Sequence, residues 1–333
     1  MGFLNGGVEE LQIRNINLKA DGYEPGDMVS GEVLLVANKD IKCRKFLILL
    51  TGCVQTYWQR IEYVDHGLNP GYETVVFIGY EKIIKAAIIF HKEGVIAPGN
   101  HVHKFTFRLP QGCPPSFAGA HGKITYELKA KIDRPWAVDS EVTTGLLVKG
   151  RLELNKLPPH IRTPVEAEGR AVVGACCCLD GQILITARTP KGAYAHEETV
   201  PIQLQVENAT KSTSIMEIHA VILENARFTA FRDGGTSCAE FKTTIIPLGT
   251  AIAKVDIAPQ NKHTLDISTI IPKVIPCSFR TSVIQTEHAI EIRMTLSNTD
   301  RPSVCVLPIV LGTLPLTVDV ISQSSVSSCA VDC

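Results

Sequence analysis

Residues 99–136 contain a strand, a turn-rich corner and a second strand, and this order constrains the fold more than any other feature of the sequence. The apolar positions lie mostly at alternate residues: Val102, Phe105, Phe107 and Leu109 in the first strand, and Ile124, Tyr126, Leu128, Ala130 and Ile132 in the second. Pro110 ends the first strand, and the glycines and prolines of residues 111–122 exclude a helix between them. Pro135 ends the second strand. Two half-buried strands joined in this way predict an antiparallel β-sandwich.

The same pattern recurs later in the chain. Phe105, Phe107, Leu109 and Pro110 are echoed by Ile267, Thr269, Ile271 and Pro272, a shift of 162 from Pro110 to Pro272. Val29, Val33 and Leu35 are echoed by Val200, Leu204 and Val206. Each of these strands follows a turn segment that contains a tyrosine, Tyr23 or Tyr194. An internal duplication predicts two similar sandwiches in tandem.

The corner also carries an ordered set of residues that resembles a known family. The matching positions are Leu109, Pro110, Pro115, Ser116, Phe117, Gly119, Gly122, Tyr126, Lys129, Ala130, Asp133, Arg134, Pro135 and Trp136. They resemble the arrestin-like family, and most of all the α-arrestins, which are arrestin-domain-containing adaptors. The resemblance extends over about residues 11–317. It implies two tandem arrestin-like, immunoglobulin-like antiparallel β-sandwiches joined by a proline-rich hinge.

The domain bounds follow from a change in composition after the first set of strands. Residues 156–174 hold three prolines and few large apolar side chains, which predicts a linker. We therefore expect a first sandwich at residues 8–155, the linker at 156–174 and a second sandwich at 175–318. Residues 319–333 are rich in serine and predict a flexible tail.

Charge and cysteine content exclude several classes of protein. The net charge of −1 argues against a nucleic-acid-binding protein, which would usually carry a basic excess. The first ten residues include Glu9 and Glu10 and lack the basic and apolar regions of a signal peptide. The eleven cysteines are therefore expected to be reduced thiols in the cytosol. The longer apolar runs are interrupted by lysine, proline or glycine and do not predict a membrane span.

Motifs for catalysis, cofactors and metals are absent from the sequence. It contains no glycine-rich phosphate loop, no HExxH and no GxSxG. His101 and His103 share a strand face, but they are better explained as polar surface residues than as ligands. Asp133 and Arg134 are expected to form a structural ion pair or a corner, and Trp136 is expected to pack. We predict a protein that is not an enzyme and has no cofactor.

Two groups of residues are candidate contact sites. Lys39, Lys42, Arg44 and Lys45 form a basic cluster that could meet acidic lipid or a phosphorylated tail, or could be only a solvated edge that discourages strand addition. Cys329 and Cys333 are candidates for palmitoylation, against two unmodified exposed thiols.

Many α-arrestins carry PPxY motifs that recruit WW-domain ubiquitin ligases. The two Pro-Pro pairs of this sequence are Pro114-Pro115 and Pro158-Pro159, and neither begins a PPxY motif. We therefore expect a ubiquitin ligase to be engaged only indirectly or without PPxY.

The leading functional prediction is a cytosolic adaptor or scaffold. The family resemblance implies that it binds cytoplasmic tails of receptors or transporters and the trafficking machinery, in endocytic sorting and signalling. Recruitment to the plasma membrane or endosomes, with peripheral membrane association, is part of this expectation. The alternatives are a retromer-type cargo-sorting subunit, which shares the twin-sandwich arrangement, and a structural or redox-linked scaffold that uses the cysteines.

Overall fold

The computed structural model describes residues 7–19, 21–64, 67, 71–175, 178–235, 239–273, 276–298 and 301–316, and these residues are mostly β-strand. The described helical segments are two short 3₁₀ turns, Leu154–Lys156 and Pro159–Arg162. None of the described helices has the length and apolar content needed to cross a bilayer. The predicted all-β class with two sandwiches is confirmed.

The first sandwich contains ten strands. They are β1 (Val8–Arg14), β2 (Met28–Ala37), β3 (Ile41–Cys43), β4 (Lys45–Val64), β5 (Gly71–His91), β6 (Gly94–Ile96), β7 (Gly99–Arg108), β8 (Phe117–Gly119), β9 (Gly122–Asp133) and β10 (Ser140–Leu146). One sheet has the order β1-β2-β7, and it faces the antiparallel run β10-β9-β4-β5. Strands β3 and β6 form a separate pair. The two sheets bury one core between them, because successive strand residues point to opposite faces.

The second sandwich also contains ten strands. They are β11 (Val165–Ala175), β12 (Cys178–Thr189), β13 (Ala193–Ala195), β14 (Thr199–Thr210), β15 (Ile215–Arg232), β16 (Ala239–Ile257), β17 (Asn261–Ile270), β18 (Phe279–Arg280), β19 (Ile284–Leu296) and β20 (Ser303–Gly312). One sheet has the order β11-β12-β14-β17, and the opposite sheet contains β15, β19, β20 and β13. Strand β16 pairs with β15, and β18 pairs with β19. A second core lies between these sheets.

One continuous sheet links the two sandwiches. Strands β5 and β15 pair antiparallel where Ile78 meets Phe231 and Phe77 meets Arg232. Eleven strands thereby belong to a single sheet that runs from β10 to β13. Phe228 and Ile284 of the second half are buried in the same cluster as the core of the first half. The hinge between the sandwiches is therefore accompanied by a packed junction.

Residues 99–136 fold as the strand–corner–strand prediction requires. Strand β7 lies in one sheet and β9 in the other, so the corner carries the chain across the sandwich. The five alternating apolar residues of β9 are all at most 1% exposed. Val102 departs from the pattern: it is 47% exposed, because it is on the opposite face of β7 from Phe105 and Phe107.

The duplication extends to strand register and hydrogen bonding. Val29 pairs with Phe107 in the first sandwich, and Val200 pairs with Thr269, which lies 162 positions after Phe107, in the second. Val33 and Leu204 repeat the relation, with His103 and Leu265 as partners. The two halves thus share pairings as well as sequence pattern.

The segment predicted as a linker differs from that prediction. Only its first part is irregular, and from Val165 onward the chain forms β11, which pairs with β12 along its length. The small residues of β11 make its composition resemble that of a linker, but close packing against β20 requires them. A Cβ atom on Gly169 would lie 1.9 Å from the Val304 carbonyl oxygen, so a larger residue is excluded. Leu154 and Ile161 are also buried against the second sandwich, which ties down the start of the connection.

Candidate partner-binding surfaces

Serine and tyrosine at equivalent positions close the corner of each sandwich. The Ser116 N–H donates to the Val148 carbonyl at 2.8 Å, and the Val148 N–H donates back to Ser116 Oγ at 3.0 Å. Ser278 and Leu311 repeat both bonds at 2.9 and 3.0 Å. Tyr23 also bridges to Val148, as Tyr194 pairs with Leu311. These motif residues position the chain at the corner, which is a structural role.

Tyr126 and His288 are the buried polar residues beneath these two corners. The Tyr126 hydroxyl donates to the Pro114 carbonyl at 2.6 Å, and burial raises the pKa of the phenol. His288 Nδ1 lies 3.0 Å from Ser278 Oγ, and His288 Nε2 lies 3.9 Å from a Glu224 carboxylate oxygen. Burial, and then nearby His196, lowers the pKa of His288 to about 4, while burial raises the pKa of Glu224.

The Ser278–His288–Glu224 series has the residue types of a hydrolytic triad, but its surroundings do not suit that chemistry. The imidazole is fully buried, and the Ser278 hydroxyl accepts the Leu311 N–H. A substrate would have to displace a hydrogen bond that holds the corner. Within the described residues, no three His, Cys, Asp or Glu side chains are arranged to hold a metal ion.

The glycines and the phenylalanine of the corner motif lie at the junction between the sandwiches. The Phe117 ring packs against Phe279 and Phe228, with centroids 5.4 and 6.3 Å away. A Cβ atom on Gly119 would lie 2.6 Å from Phe228. One on Gly122 would lie 2.9 Å from the Ile284 side chain of the second half and 2.7 Å from the Gln55 carbonyl oxygen of β4. Leu109, Pro115 and Phe117 are buried, and Pro110 is half-buried. The corner motif therefore fixes the contact between the two domains.

Polar contacts complete the junction. The Thr56 hydroxyl donates to the Thr229 carbonyl at 2.6 Å. On the exposed side, Arg60 pairs with Glu240 at 2.7 Å, and this pairing together with Glu62 raises the arginine pKa. Such exposed pairs contribute little free energy individually, so the aromatic and glycine contacts carry most of the junction.

The turn after β9 contradicts the expectation for Trp136. Its side chain is 104% exposed and its φ is +60°, in the left-handed region that bulky residues rarely adopt. The turn is closed by the Arg134 N–H, which donates to Asp139 at 3.0 Å. Trp136 projects into solvent because this turn directs it away from the core. Arg134 is buried and Pro135 is half-buried.

Asp133 pairs with the basic cluster rather than with its neighbour in sequence. Arg44 Nε donates to Asp133 Oδ1 at 2.8 Å, and the Arg44 guanidinium also donates to the Arg134 carbonyl at 3.4 Å. The other members of the cluster, Lys39, Lys42 and Lys45, are exposed. The structure thus brings the basic cluster and the exposed tryptophan turn together, although Arg44 and Asp133 are 89 positions apart in sequence.

The described cysteines are mostly inaccessible. Cys43, Cys113, Cys277 and Cys305 are buried, and each is a free thiol. Burial raises the pKa of Cys277 and Cys305 to about 11, which opposes formation of the reactive thiolate. Cys329 and Cys333, the candidates for lipidation, lie outside the described residues.

Strand β16 is a site that sequence analysis did not single out. It pairs with β15 on one side, and no described strand pairs with its other edge. Residues 243–253 contain no charged side chain, and Ile245, Ile246 and Ile252 are 61%, 46% and 57% exposed. The sequence signal was available: an uncharged β-prone run of this length is unusual for an exposed edge.

Comparison with known proteins gives a consistent result over both sandwiches. Two family models match the sequence: "Arrestin (or S-antigen), N-terminal domain" over residues 14–155 and "Arrestin (or S-antigen), C-terminal domain" over residues 179–316. Human arrestin domain-containing protein 4 is 23% identical over 298 residues, which cover 88% of this chain and 68% of that protein. Human thioredoxin-interacting protein is 25% identical over 295 residues, which cover 87% of this chain and 71% of that protein.

Proposed function

The chain belongs to the arrestin family and is similar to its α-arrestin members, and from this premise we propose that it is a non-enzymatic adaptor that binds extended cytoplasmic segments of membrane proteins along β16. In this proposal it works in the cytoplasm, in endocytic sorting and signalling. It is recruited to the plasma membrane or endosomes by its cargo.

The edge of β16 with which no described strand pairs is the observation that carries the proposal. An unpaired strand edge presents a row of backbone donors and acceptors to an incoming chain. The uncharged run of residues 243–253 lacks the lysine and glutamate that usually blunt such an edge. Charged residues return only at its ends, with Lys242 and Lys254. The edge is therefore open over its middle and bounded at both ends.

An extended segment would bind here mainly through its backbone. Each new backbone hydrogen bond contributes roughly 0.5–1.5 kcal/mol net, so several bonds are needed for a stable complex. Pro247 has no N–H and lies where the register of β15 shifts, so it divides the edge into two halves. The exposed isoleucines add apolar contact on both sides of this break. This mode favours extended apolar segments over one fixed sequence.

Proximity labelling in cells tests the proposal directly. The full chain is compared with a chain carrying Ile245→Lys and Ile252→Lys, two exposed positions where lysine should block strand addition without disturbing the core. We expect the full chain to label transmembrane proteins and endosomal proteins, and the double variant to lose most of the transmembrane set. Leu18→Lys is the matched control, because Leu18 is 68% exposed and lies outside any strand.

Other outcomes separate the alternatives. Labelling of retromer components alone would favour a cargo-sorting subunit of that assembly. A chain that labels no membrane-linked protein would contradict the adaptor proposal. Ubiquitin ligases in the labelled set would have to be bridged or bound without PPxY, because the sequence contains no such motif.

A further inference from the structure

A second surface, far in sequence from β16, combines exposed apolar side chains with exposed lysines. We call it the Trp136 tip and define it as residues 39–45, 92–96 and 133–139. Strands β3 and β6 pair within it, with Lys42 opposite Val95. Lys42, Val95 and Pro135 line one shallow depression together with Asp40 and Arg134. The hydrogen bond from Arg44 to Asp133 connects the segments at 2.8 Å.

The apolar part of the tip projects outward. Trp136 is 104% exposed, Val138 is 80% exposed and Val95 is 50% exposed. Holding a tryptophan at φ +60° is unfavourable, and such conformations persist only where the surrounding structure imposes them. The Arg134-to-Asp139 hydrogen bond and the Lys131–Asp139 ion pair at 2.7 Å close this turn. The turn keeps a large apolar side chain in water without covering it.

The charged part of the tip is basic after internal pairs are counted. Asp133 is paired with Arg44, and Asp139 is paired with Lys131. Lys39, Lys42, Lys45 and Lys92 are exposed, and within the described residues no carboxylate lies at ion-pair distance from them. Asp40 and Glu93 are the exposed carboxylates that remain nearby. Four lysines against two carboxylates leave a local positive charge on a chain whose net charge is −1.

We propose that the Trp136 tip docks the protein on anionic lipid membranes. Tryptophan is favoured at the membrane–water interface, because its ring is apolar and its indole N–H is polar. Lysines beside it are attracted to the negative surface of the cytoplasmic leaflet. A phosphorylated peptide would use the charges, but it would need a groove and would leave the protruding Trp136 and Val138 unused. A fluid bilayer accepts a protruding side chain without a preformed pocket.

This inference is independent of cargo binding along β16, so the two can fail separately. The test uses the full chain and co-sedimentation with two kinds of vesicle, phosphatidylcholine alone and phosphatidylcholine mixed with phosphatidylserine. We expect binding to the mixed vesicles only, weakening with added salt. Trp58 is buried and Trp136 is the other tryptophan of the chain, so insertion should shift the fluorescence emission to shorter wavelength.

Two variants separate the apolar and charged contributions. Trp136→Asn should weaken vesicle binding about tenfold through lost apolar insertion, while thermal stability is retained because asparagine tolerates positive φ. Lys39→Glu, Lys42→Glu and Lys45→Glu together should weaken it by about 100-fold or more, since each lysine near an anionic surface contributes about fivefold. The matched control is the triple reversal of Lys123, Lys211 and Lys273, which are exposed elsewhere and should leave binding unchanged.

Several results would overturn the proposal. Equal sedimentation with both kinds of vesicle would show that anionic lipid is not required for binding. Unchanged binding of Trp136→Asn would show that the Trp136 tip is not the docking surface. If the chain ignores vesicles but binds a phosphoserine peptide through Lys39, Lys42 and Lys45, the tip is a phosphopeptide site instead. The β16 variant Ile245→Lys, Ile252→Lys should sediment like the unmodified chain, which distinguishes this test from that of the adaptor function.

Discussion

Gly119 and Gly122 show how single residues of the corner control the junction between the sandwiches. A Cβ atom on Gly122 would meet the Gln55 backbone oxygen at 2.7 Å, whereas one on Gly119 would meet the end of the Phe228 ring at 2.6 Å. A ring can move aside more easily than a strand backbone. The two glycines therefore differ in what a substitution would disturb.

Alanine at these positions should destabilise the protein to different degrees. We expect Gly122→Ala to lower the free energy of unfolding by about 2–3 kcal/mol and Gly119→Ala by about 1–2 kcal/mol, through overpacking. Gly145→Ala is the matched control, because nothing lies within 4 Å of its added Cβ, and it should be neutral. Urea denaturation measures all three. Equal stability of Gly122→Ala and the control would mean that Gly122 is less tightly packed against β4 and Ile284 than the distances indicate.

His288 should make stability depend on pH. Its pKa is about 4 in the folded chain, against about 6.5 for an unperturbed histidine, so between these values the unfolded state binds a proton that the folded state does not. Stability due to this group is therefore lost as pH falls, by about 2 kcal/mol between pH 7 and pH 5. The raised pKa of Glu224 acts in the opposite direction.

Comparison with His288→Gln isolates the histidine contribution. The loss of unfolding free energy between pH 7 and pH 5 should be smaller in the variant by about 2 kcal/mol. Urea denaturation at the two pH values gives the difference. The same pH dependence in both proteins would show that the imidazole is not the group that titrates.

Buried thiols are expected to react slowly. With pKa values of about 11, Cys277 and Cys305 are thiolate to only about one part in a thousand at pH 8. Alkylation followed by mass spectrometry should label half-buried Cys53 well before either of them in the native protein, and all three after unfolding. Rapid native labelling of Cys277 or Cys305 would restore the redox-linked scaffold as a serious alternative.

At the scale of elements, β11 and β16 show that the amino-acid composition of a strand does not predict how its edges are paired. Strand β11 consists largely of small and charged residues, yet it pairs with β12 along its length. Strand β16 carries the uncharged run of residues 243–253 with its exposed isoleucines, yet only one of its edges is paired within the described chain. Packing partners, and not strand propensity, explain both cases.

Hydrogen exchange should distinguish these two strands. Amides of Val165–Ala175 that bond to β12 should be protected to about the same degree as those of β12, since they belong to the same ladder. In β16, amides that face β15 should be protected and those on the free edge should exchange rapidly. Fast exchange throughout β11 would instead support the linker that composition predicts.

At the scale of the whole molecule, the eleven-stranded sheet and the buried Phe117 couple the two sandwiches. Coupling of this kind lets the two domains unfold together. The fluorescence of buried Trp58 reports on the first sandwich near the junction. Circular dichroism reports on the strands of both sandwiches. The two signals should therefore follow one transition in the unmodified protein.

Phe117→Ala should separate these transitions. The substitution removes the contacts with Phe228 and Phe279 and should lower the free energy of unfolding by about 3–5 kcal/mol. Phe107→Ala makes a comparable cavity inside the first sandwich and leaves the junction intact, so its two signals should still coincide. Coincident transitions in Phe117→Ala would show that the β5–β15 pairing and the polar contacts hold the domains together without the Phe117 ring.

The fold class, the duplication and the strand–corner–strand segments could be predicted from the amino-acid sequence. Alternation of apolar residues specifies which face of a strand is buried, and that information is local. Repeated spacing then specified a repeated register, as the pairs Val29–Phe107 and Val200–Thr269 show. Proline and glycine marked the corner, because they restrict the backbone wherever they occur.

Positions whose environment depends on distant partners could not be predicted in this way. The close approach of Gly169 to Val304 explains why β11 has a glycine there, and without that contact the composition of β11 resembles a linker. Trp136 was predicted to pack, but the turn closed by Asp139 exposes it. The basic cluster beside it comes from a segment much earlier in the chain. The free edge of β16 likewise depends on which strands pair with it. Burial, pairing and proximity are properties of contacts between segments far apart in the chain, and the local sequence pattern does not contain them.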